Sequence, residues 1–173
     1  MIEPKKMVIF FVILIVGVNI LKEKMFDESV HRGGWYTVVK PVGWNERKEE
    51  NEIIFESPET SVMTGMPEAI FSIYSVKATG ALFLEDLFGE VMASLRQLKG
   101  KVLDKGQLKI DNQDARWVLF FHRDPDLFIL TFYIADDFNR LTKIQFISTP
   151  EKFPSYRSQF EAFKNSIRFK KII

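Results

Sequence analysis

The chain has 173 residues, a formal net charge of +1, 46% hydrophobic residues and no cysteine. The near-neutral charge argues against a general nucleic-acid-binding surface. The lack of cysteine excludes zinc–thiolate sites, thiol nucleophiles, disulfides and a lipid-modified cysteine. The length and apolar content suit one folded domain with an appendage.

The first element is an apolar run between lysines, from Met7 to Leu21. At about 1.5 Å per residue its helix would measure roughly 22 Å, which is short for a ~30 Å hydrocarbon core unless the flanking lysines reach the headgroups. No small-residue cleavage pattern follows it. We predict a retained single-pass anchor over residues 1–24, with a cleaved export signal or a buried helix as alternatives. The anchor residues are Met7, Phe10, Phe11, Leu14, Val18 and Leu21.

A tether and one folded domain are expected to follow the anchor. Residues 25–34 are charged and end in Gly33-Gly34, and residues 35–173 carry the remaining periodic segments. A short first segment with a folded domain behind it usually exports that domain. We therefore predict that the domain lies on the extracytoplasmic, periplasmic side of the membrane.

Three strands are predicted at the start of the domain, over residues 35–40, 51–57 and 69–77. They are rich in β-branched and aromatic residues, and Pro41 and Pro58 end the first two. The charged segment between the first two strands, which includes residues 47–52, is interpreted as a solvated loop.

Two amphipathic helices are predicted from residues spaced along one helical face. The first stripe is Leu84, Leu87, Phe88, Val91, Leu95 and Leu98. The second is Phe153, Tyr156, Phe160, Phe163 and Ile167. Between the helices lie four strand-like runs, at residues 101–110, 115–123, 127–135 and 140–148. Short turns join these strands, so antiparallel pairing is expected. The order predicts an α+β fold, a three-layer α/β/α sandwich with a central antiparallel sheet.

Several segments together resemble the PsbP/DcrB-like family over roughly residues 35–170. These segments are WYTVVKPVGW, EIIFESPE, LEDLFGEVMASLRQ, ARWVLFF, LTFYIADDFNRLTKIQFISTPEKF and FEAFKNSIRFKK. The resemblance implies an α/β/α sandwich around an antiparallel sheet. Relatives include the extrinsic PsbP subunit of photosystem II, exported or lipid-anchored DcrB-type proteins and Ran-binding Mog-type proteins. They are chiefly binding and assembly modules. This chain lacks the cysteine of the lipoproteins, and no functional residue carries over from the family.

Two clusters have residue types that occur in catalytic or metal sites. His122 precedes Asp124 and Asp126, and Asp136 stands next to Asp137. Both clusters fall at predicted turns, where Asp and Pro have structural roles, and we interpret them as turns with solvated acids. No nucleophile–base pair or phosphate-binding loop is present. We predict no catalytic residue, no cofactor-binding residue and no metal ligand.

A surface for a partner is predicted from five residues, with packing and a helix end as the alternative. Tryptophan is enriched at interfaces, and basic residues favour anionic lipid or an acidic partner. The residues are Trp35, Trp44, Lys164, Arg168 and Lys170.

The leading functional prediction is a non-enzymatic, membrane-anchored accessory or assembly subunit that docks on a larger membrane protein complex. Its expected partners are the lipid bilayer and other membrane protein subunits, with no nucleic acid and no cofactor. The alternative is an exported periplasmic protein that is released by signal cleavage and binds a small ligand between helix and sheet.

Overall fold

A computed structural model describes residues 35–62, 65–78, 82–136 and 138–170. The strands are β1 (Tyr36–Thr37), β2 (Asn45–Lys48), β3 (Glu52–Glu56), β4 (Ala69–Lys77), β5 (Gly100–Ile110), β6 (Gln113–Arg123), β7 (Asp126–Ala135), β8 (Arg140–Ser148) and β9 (Arg168–Phe169). The helices are α1 (Leu84–Leu95) and α2 (Phe153–Ser166). Seven strands form one sheet in the order β2-β3-β4-β8-β7-β6-β5, and β1 pairs with β9 in a second, two-stranded sheet. Every paired neighbour is antiparallel.

The inner strand β4 shows how alternation builds two separate cores. Ile70 and Tyr74 lie in the cluster that contains α1, whereas Phe71 and Ile73 lie in the cluster that contains α2. Successive side chains on a strand point to opposite faces, so each face of the sheet receives its own apolar set. One helix therefore covers each face.

The α2 face is packed largely through aromatic rings. The rings of Phe146 and Phe153 are stacked with centroids 4.6 Å apart, and Phe160 stacks on Phe146 at 5.1 Å. Such pairs contribute about 0.5–1.5 kcal/mol beyond the area they bury. The spacing of the aromatic residues on α2 thus fixes that helix against β8.

Strand β2 differs from the predicted solvated loop over residues 47–52. Arg47 pairs with Ile54 and Lys48 pairs with Ile53, so the charged segment is the edge strand of the sheet. An edge strand is exposed on one side and tolerates charge, which also discourages pairing with other chains. Its composition therefore resembles that of a loop.

The predicted α+β class with an antiparallel sheet and two helices is confirmed for the part of the chain that the structure describes. The predicted anchor over residues 1–24 and the tether over residues 25–34 lie outside that part. Among the described helices, none combines the length and the apolar character needed to cross a membrane.

Candidate interaction surfaces

One end of the sheet, which we call the tether end, contains Trp35, Lys77, Phe83, Phe138 and Arg140. The guanidinium carbon of Arg140 lies 5.5 Å from the ring centroid of Trp35 and 5.2 Å from that of Phe138. Both contacts have cation–π geometry. Trp35 is the first described residue, so the preceding residues of the chain reach the domain at this end.

The turn before β8 holds Phe138 in place. Oδ1 of Asp136 accepts hydrogen bonds from the backbone N–H groups of Phe138 and Arg140, each at 3.0 Å. The carboxylate of Asp136 also forms an ion pair with the side chain of Arg140. Asp136 is therefore a paired, half-buried acid and differs from the solvated acid that the sequence predicted.

A hydrogen bond joins the segment that carries Phe83 to this turn. Asn139 adopts a φ of 58°, in the left-handed region that asparagine tolerates. Its Oδ1 accepts a hydrogen bond from the backbone N–H of Leu82 at 3.3 Å. Phe83 is 65% exposed and Phe138 is 46% exposed. Among the aromatic side chains that the structure describes, these two alone are exposed, and they lie at the same end.

The β1–β9 pair brings part of the predicted partner surface to the tether end. The backbone N–H of Lys170 donates a 2.7 Å hydrogen bond to the carbonyl oxygen of Trp35. Arg168 is exposed and its guanidinium donates to the carbonyl oxygens of Asn165 and Ile167. The guanidinium thus pairs with carbonyl groups at the end of α2, where a cation is favourable.

The structure places the other two predicted interface residues elsewhere. Trp44 is 5% exposed, and its ring centroid lies 4.2 Å from that of Phe71 in the α2-face core. Lys164 is 7% exposed, and its ammonium lies 5.1 Å from the ring centroid of Phe132. Trp44 belongs to the segment that crosses the α2 face, and Lys164 is on the inner side of α2. Packing against aromatic rings therefore buries both.

The opposite end of the sheet, which we call the distal end, presents two aliphatic side chains. Val42 is fully exposed, and so is Val62, in the loop between β3 and β4. Next to Val42 lies a groove of about 410 Å³, whose lining residues are Val42, Trp44, Pro58, Glu59, Glu68, Lys152, Ser155, Tyr156 and Gln159. Strand β4 runs from the distal end to the tether end. At about 3.3 Å per residue, the length of this strand places the two ends roughly 27 Å apart.

A hydrogen-bond network fixes the base of the distal groove. The hydroxyl oxygen of Tyr156 lies 3.1 Å from carboxylate oxygens of both Glu59 and Glu68. Lys152 lies 2.9 Å from the second oxygen of Glu68. Desolvation and then the bonds to the two carboxylates raise the pKa of Tyr156 to about 12. The hydroxyl has one hydrogen, so it donates to one carboxylate at a time.

A third feature, polar side chains buried on the face of the sheet that carries α1, was not predicted from the sequence. Glu52, Tyr74 and Lys143 are neighbours across β3, β4 and β8, and Thr131 of β7 is opposite Gln145 of β8. Nε2 of Gln145 donates a 2.9 Å hydrogen bond to Oγ1 of Thr131. Within the described residues, Nζ of Lys143, Oε1 of Gln145 and Oε1 of Glu52 are buried without a hydrogen-bond partner. The sequence RLTKIQFIS indicates a strand whose side chains alternate between two faces. It does not reveal which of these faces a helix covers.

The histidine turn at the end of β6 has the geometry of a structural turn. His122 is 4% exposed, and its Nδ1 lies 3.2 Å from the carbonyl oxygen of Pro125 and 3.3 Å from the backbone nitrogen of Asp124. These contacts engage that ring nitrogen with the turn backbone. Of the residues described, no group of three or more His, Cys, Asp or Glu side chains is arranged to hold a metal ion.

No model of a known protein family and no curated protein matches the sequence. Solved structures do match the fold. LpqN of Mycobacterium tuberculosis, described as involved in cell envelope biogenesis, has a TM-score of 0.61 at 9% identity, with 81% of this chain and 88% of LpqN covered. PA94 of Pseudomonas aeruginosa, described as a protein of unknown function, has a TM-score of 0.60 at 14% identity, with 80% of this chain and 100% of PA94 covered.

The cyanobacterial PsbP (CyanoP) of Synechocystis is a third neighbour. It has a TM-score of 0.54 at 11% identity, over 78% of this chain and 86% of that chain. At such identities the similarity concerns the fold alone. The resemblance to the PsbP/DcrB-like family is thus confirmed at the level of the fold.

Proposed function

We propose that this protein is a non-catalytic, membrane-anchored accessory subunit of the cell envelope. Residues 1–24 act as a retained single-pass anchor, and the folded domain lies on the extracytoplasmic side. The domain docks on a larger membrane protein complex through its distal end. The observation that carries the proposal is the full exposure of Val42, which lines the distal groove, and of Val62, in the loop that contributes Glu59 and Glu68 to that groove.

The distal end is built as a firm base for docking. Trp44, two residues after Val42, is anchored on Phe71, and the Tyr156 network ties the other loop to α2. Aliphatic side chains held on a preorganised base lose little conformational freedom when they are buried by a partner. The groove beside Val42 is lined by both apolar and polar side chains, as protein interfaces are.

The neighbouring folds support this class of function. LpqN is described as involved in cell envelope biogenesis, which fits an envelope location for a domain of this shape. The alternative of a released ligand-binding protein requires room between helix and sheet. The pocket that lies between the start of α1 and the sheet, about 540 Å³ in volume, is instead lined mostly by polar and charged side chains, among them Glu85, Lys109 and Arg116. We therefore favour docking over carriage of a small ligand.

Site-specific photo-crosslinking in intact cells tests the docking surface. A photoreactive residue is placed at Val42 or Val62, and at Leu103 as a control, because Leu103 is 43% exposed on the outermost strand β5. We expect the same membrane protein adduct from both distal positions and none from position 103. The variant Val42→Asp with Val62→Asp should lose co-purification of that protein in mild detergent, whereas Leu103→Asp keeps it. A protein that gives no adduct and purifies alone contradicts docking.

The intact mass of the native protein tests the anchor. A retained anchor leaves residues 1–24 attached to the protein that is recovered in the membrane fraction. A mature N-terminus after about residue 20, with the protein in the soluble extract, supports the released alternative.

A further inference from the structure

We propose that the tether end of the domain lies on the lipid surface, with Phe83 and Phe138 inserted among the headgroups. The inference rests on the proposed retention of the anchor and adds a second, weaker membrane contact made by the folded domain itself. It gives a role to the two exposed aromatic residues, which are not part of the proposed docking surface.

The first argument is the location of the exposed aromatic side chains. Phe83 and Phe138 are the two exposed aromatic side chains of the described residues, although aromatic residues make up 14% of the chain. Every other ring among the described residues is at least half-buried, so the exposure of both rings at one end is a local property. The backbone N–H groups of Phe138 and Leu82 donate hydrogen bonds to Oδ1 of Asp136 and Oδ1 of Asn139, which hold the two rings in place. Aromatic side chains at the level of the headgroups are typical of protein surfaces that contact membranes.

The second argument is the position of the chain that leads to the membrane. Residues 25–34 separate the proposed anchor from Trp35, and ten extended residues span at most about 36 Å. Trp35 contacts Arg140, which in turn contacts Phe138. The tether therefore joins the domain beside the exposed rings, and the bilayer is the surface within its reach. The distal end lies roughly 27 Å farther along β4.

The third argument is the charge around the rings. Lys77 and Lys170 are exposed, and neither belongs to a salt bridge among the described residues. Their long side chains can reach lipid phosphates while their stems lie along apolar surface. The charge of Asp136 is compensated by Arg140 and that of Glu85 by Arg116, and Asp86 is an exposed acid in the first turn of α1. Lipid is favoured over a protein partner here because flanking lysines and isolated exposed rings suit a headgroup layer.

The chain contains no cysteine, so a single introduced cysteine is the only site that a thiol-reactive label modifies. The label then reports the depth of that position in the membrane. Nitroxide labels are attached at Phe83→Cys and Phe138→Cys, with Val62→Cys as the distal control. The full chain is placed in nanodiscs of phosphatidylcholine and phosphatidylglycerol. Collision rates are measured with oxygen, which concentrates in lipid, and with a water-soluble nickel chelate. We expect an oxygen-to-nickel ratio several-fold higher at positions 83 and 138 than at position 62.

A second set of variants guards against insertion driven by the label itself. The label is moved to Lys77→Cys, and the chain is compared with and without Phe83→Ser and Phe138→Ser. The serine pair should lower the ratio at position 77 to that of position 62. Equal ratios at positions 62, 77, 83 and 138, in a chain that still floats with vesicles, overturn this inference and leave the anchor intact. A chain that fails to float overturns the proposed anchoring, and with it this inference.

Discussion

The ammonium of Lys143 lies 5.5 Å from the ring centroid of Tyr74, on the face of the sheet that α1 covers. Lys143 is 1% exposed. Desolvation lowers its pKa, and the charge of Glu52 opposes that shift in part. The ring face replaces only some of the hydration that the ammonium loses on folding. This lysine therefore weakens the domain at neutral pH.

Replacing Lys143 tests that conclusion. Lys143→Met should raise the free energy of unfolding by about 1–3 kcal/mol near pH 7, because it removes the desolvation of the amine, which is the largest cause of its lowered pKa. Below the ordinary lysine pKa of 10.5, the unfolded wild-type chain binds more protons at this site than the folded chain. Wild-type stability should thus rise as the pH rises from the lowered folded pKa towards 10.5, and the variant should lack this rise.

Urea denaturation at several pH values measures both effects. The control is Lys77→Met, because Lys77 is exposed and its charge stays hydrated in both states. That control should change stability by less than about 0.5 kcal/mol. A Lys143→Met variant that is less stable than wild type at pH 7 would show that the interaction with Glu52 outweighs the desolvation.

The sequence predicts well the helices and strands that bury a face, because burial sets the spacing of their apolar residues. The stripe containing Leu87, Val91 and Leu95 is buried in the structure, as is the stripe containing Phe153 and Phe160. A helix that buries one face must repeat near 3.6 residues, so the pattern is local and readable. The long apolar strands are predictable for the same reason.

The features that the sequence does not reveal depend on distant partners. Strand β2 has no apolar alternation and exists because β3 pairs with it. Strand β9, only two residues long, exists because β1 lies beside it. The burial of Trp44 and Lys143 is decided by which segment crosses each face of the sheet. The tether end likewise assembles residues from the start, middle and end of the domain, and no spacing rule joins Trp35 to Phe138.

Two glycines should respond to alanine in opposite directions. At Gly89, within α1, an added Cβ meets nothing within 4 Å. Gly89→Ala should raise the free energy of unfolding by about 0.5–1 kcal/mol, because alanine favours the helix. At Gly100, the Cβ would clash with the carbonyl oxygen of Phe121 and the ring of Phe120.

Gly100→Ala should therefore lower the free energy of unfolding by about 1–3 kcal/mol through overpacking. Thermal and denaturant unfolding of the two variants side by side provides the measurement, since each serves as the control for the other. Similar effects of the two substitutions would mean that the start of β5 moves freely away from β6.

The Tyr156 hydroxyl should contribute measurably to the distal end. Tyr156→Phe leaves the carboxylates of Glu59 and Glu68 without this donor and should lower stability by about 1–2 kcal/mol near pH 7. The folded pKa of about 12 exceeds the ordinary value of 10.0, so this contribution is complete below pH 10. It is lost as the pH rises towards 12, and the gap between the two proteins should narrow there.

Tyrosinate absorbance during an alkaline titration identifies the group. The variant should lack one late-titrating tyrosine. Glu59→Gln keeps the hydroxyl but removes one negative charge, so it should shift that tyrosine to a lower pKa. An unchanged alkaline stability profile in Tyr156→Phe would assign the late titration to another tyrosine.

Truncation of the two tryptophans of the predicted partner surface should have very different effects on the free energy of unfolding. Trp44 is 5% exposed and packs on Phe71, so Trp44→Ala should lower the free energy of unfolding by about 3–5 kcal/mol. Trp35 is half-buried beside Arg140, and Trp35→Ala should lower it by about 1 kcal/mol or less. Urea denaturation followed by circular dichroism compares the two. Equal losses would place Trp35 in the core and weaken the case for a membrane-facing tether end, because Trp35 links the tether to the exposed rings.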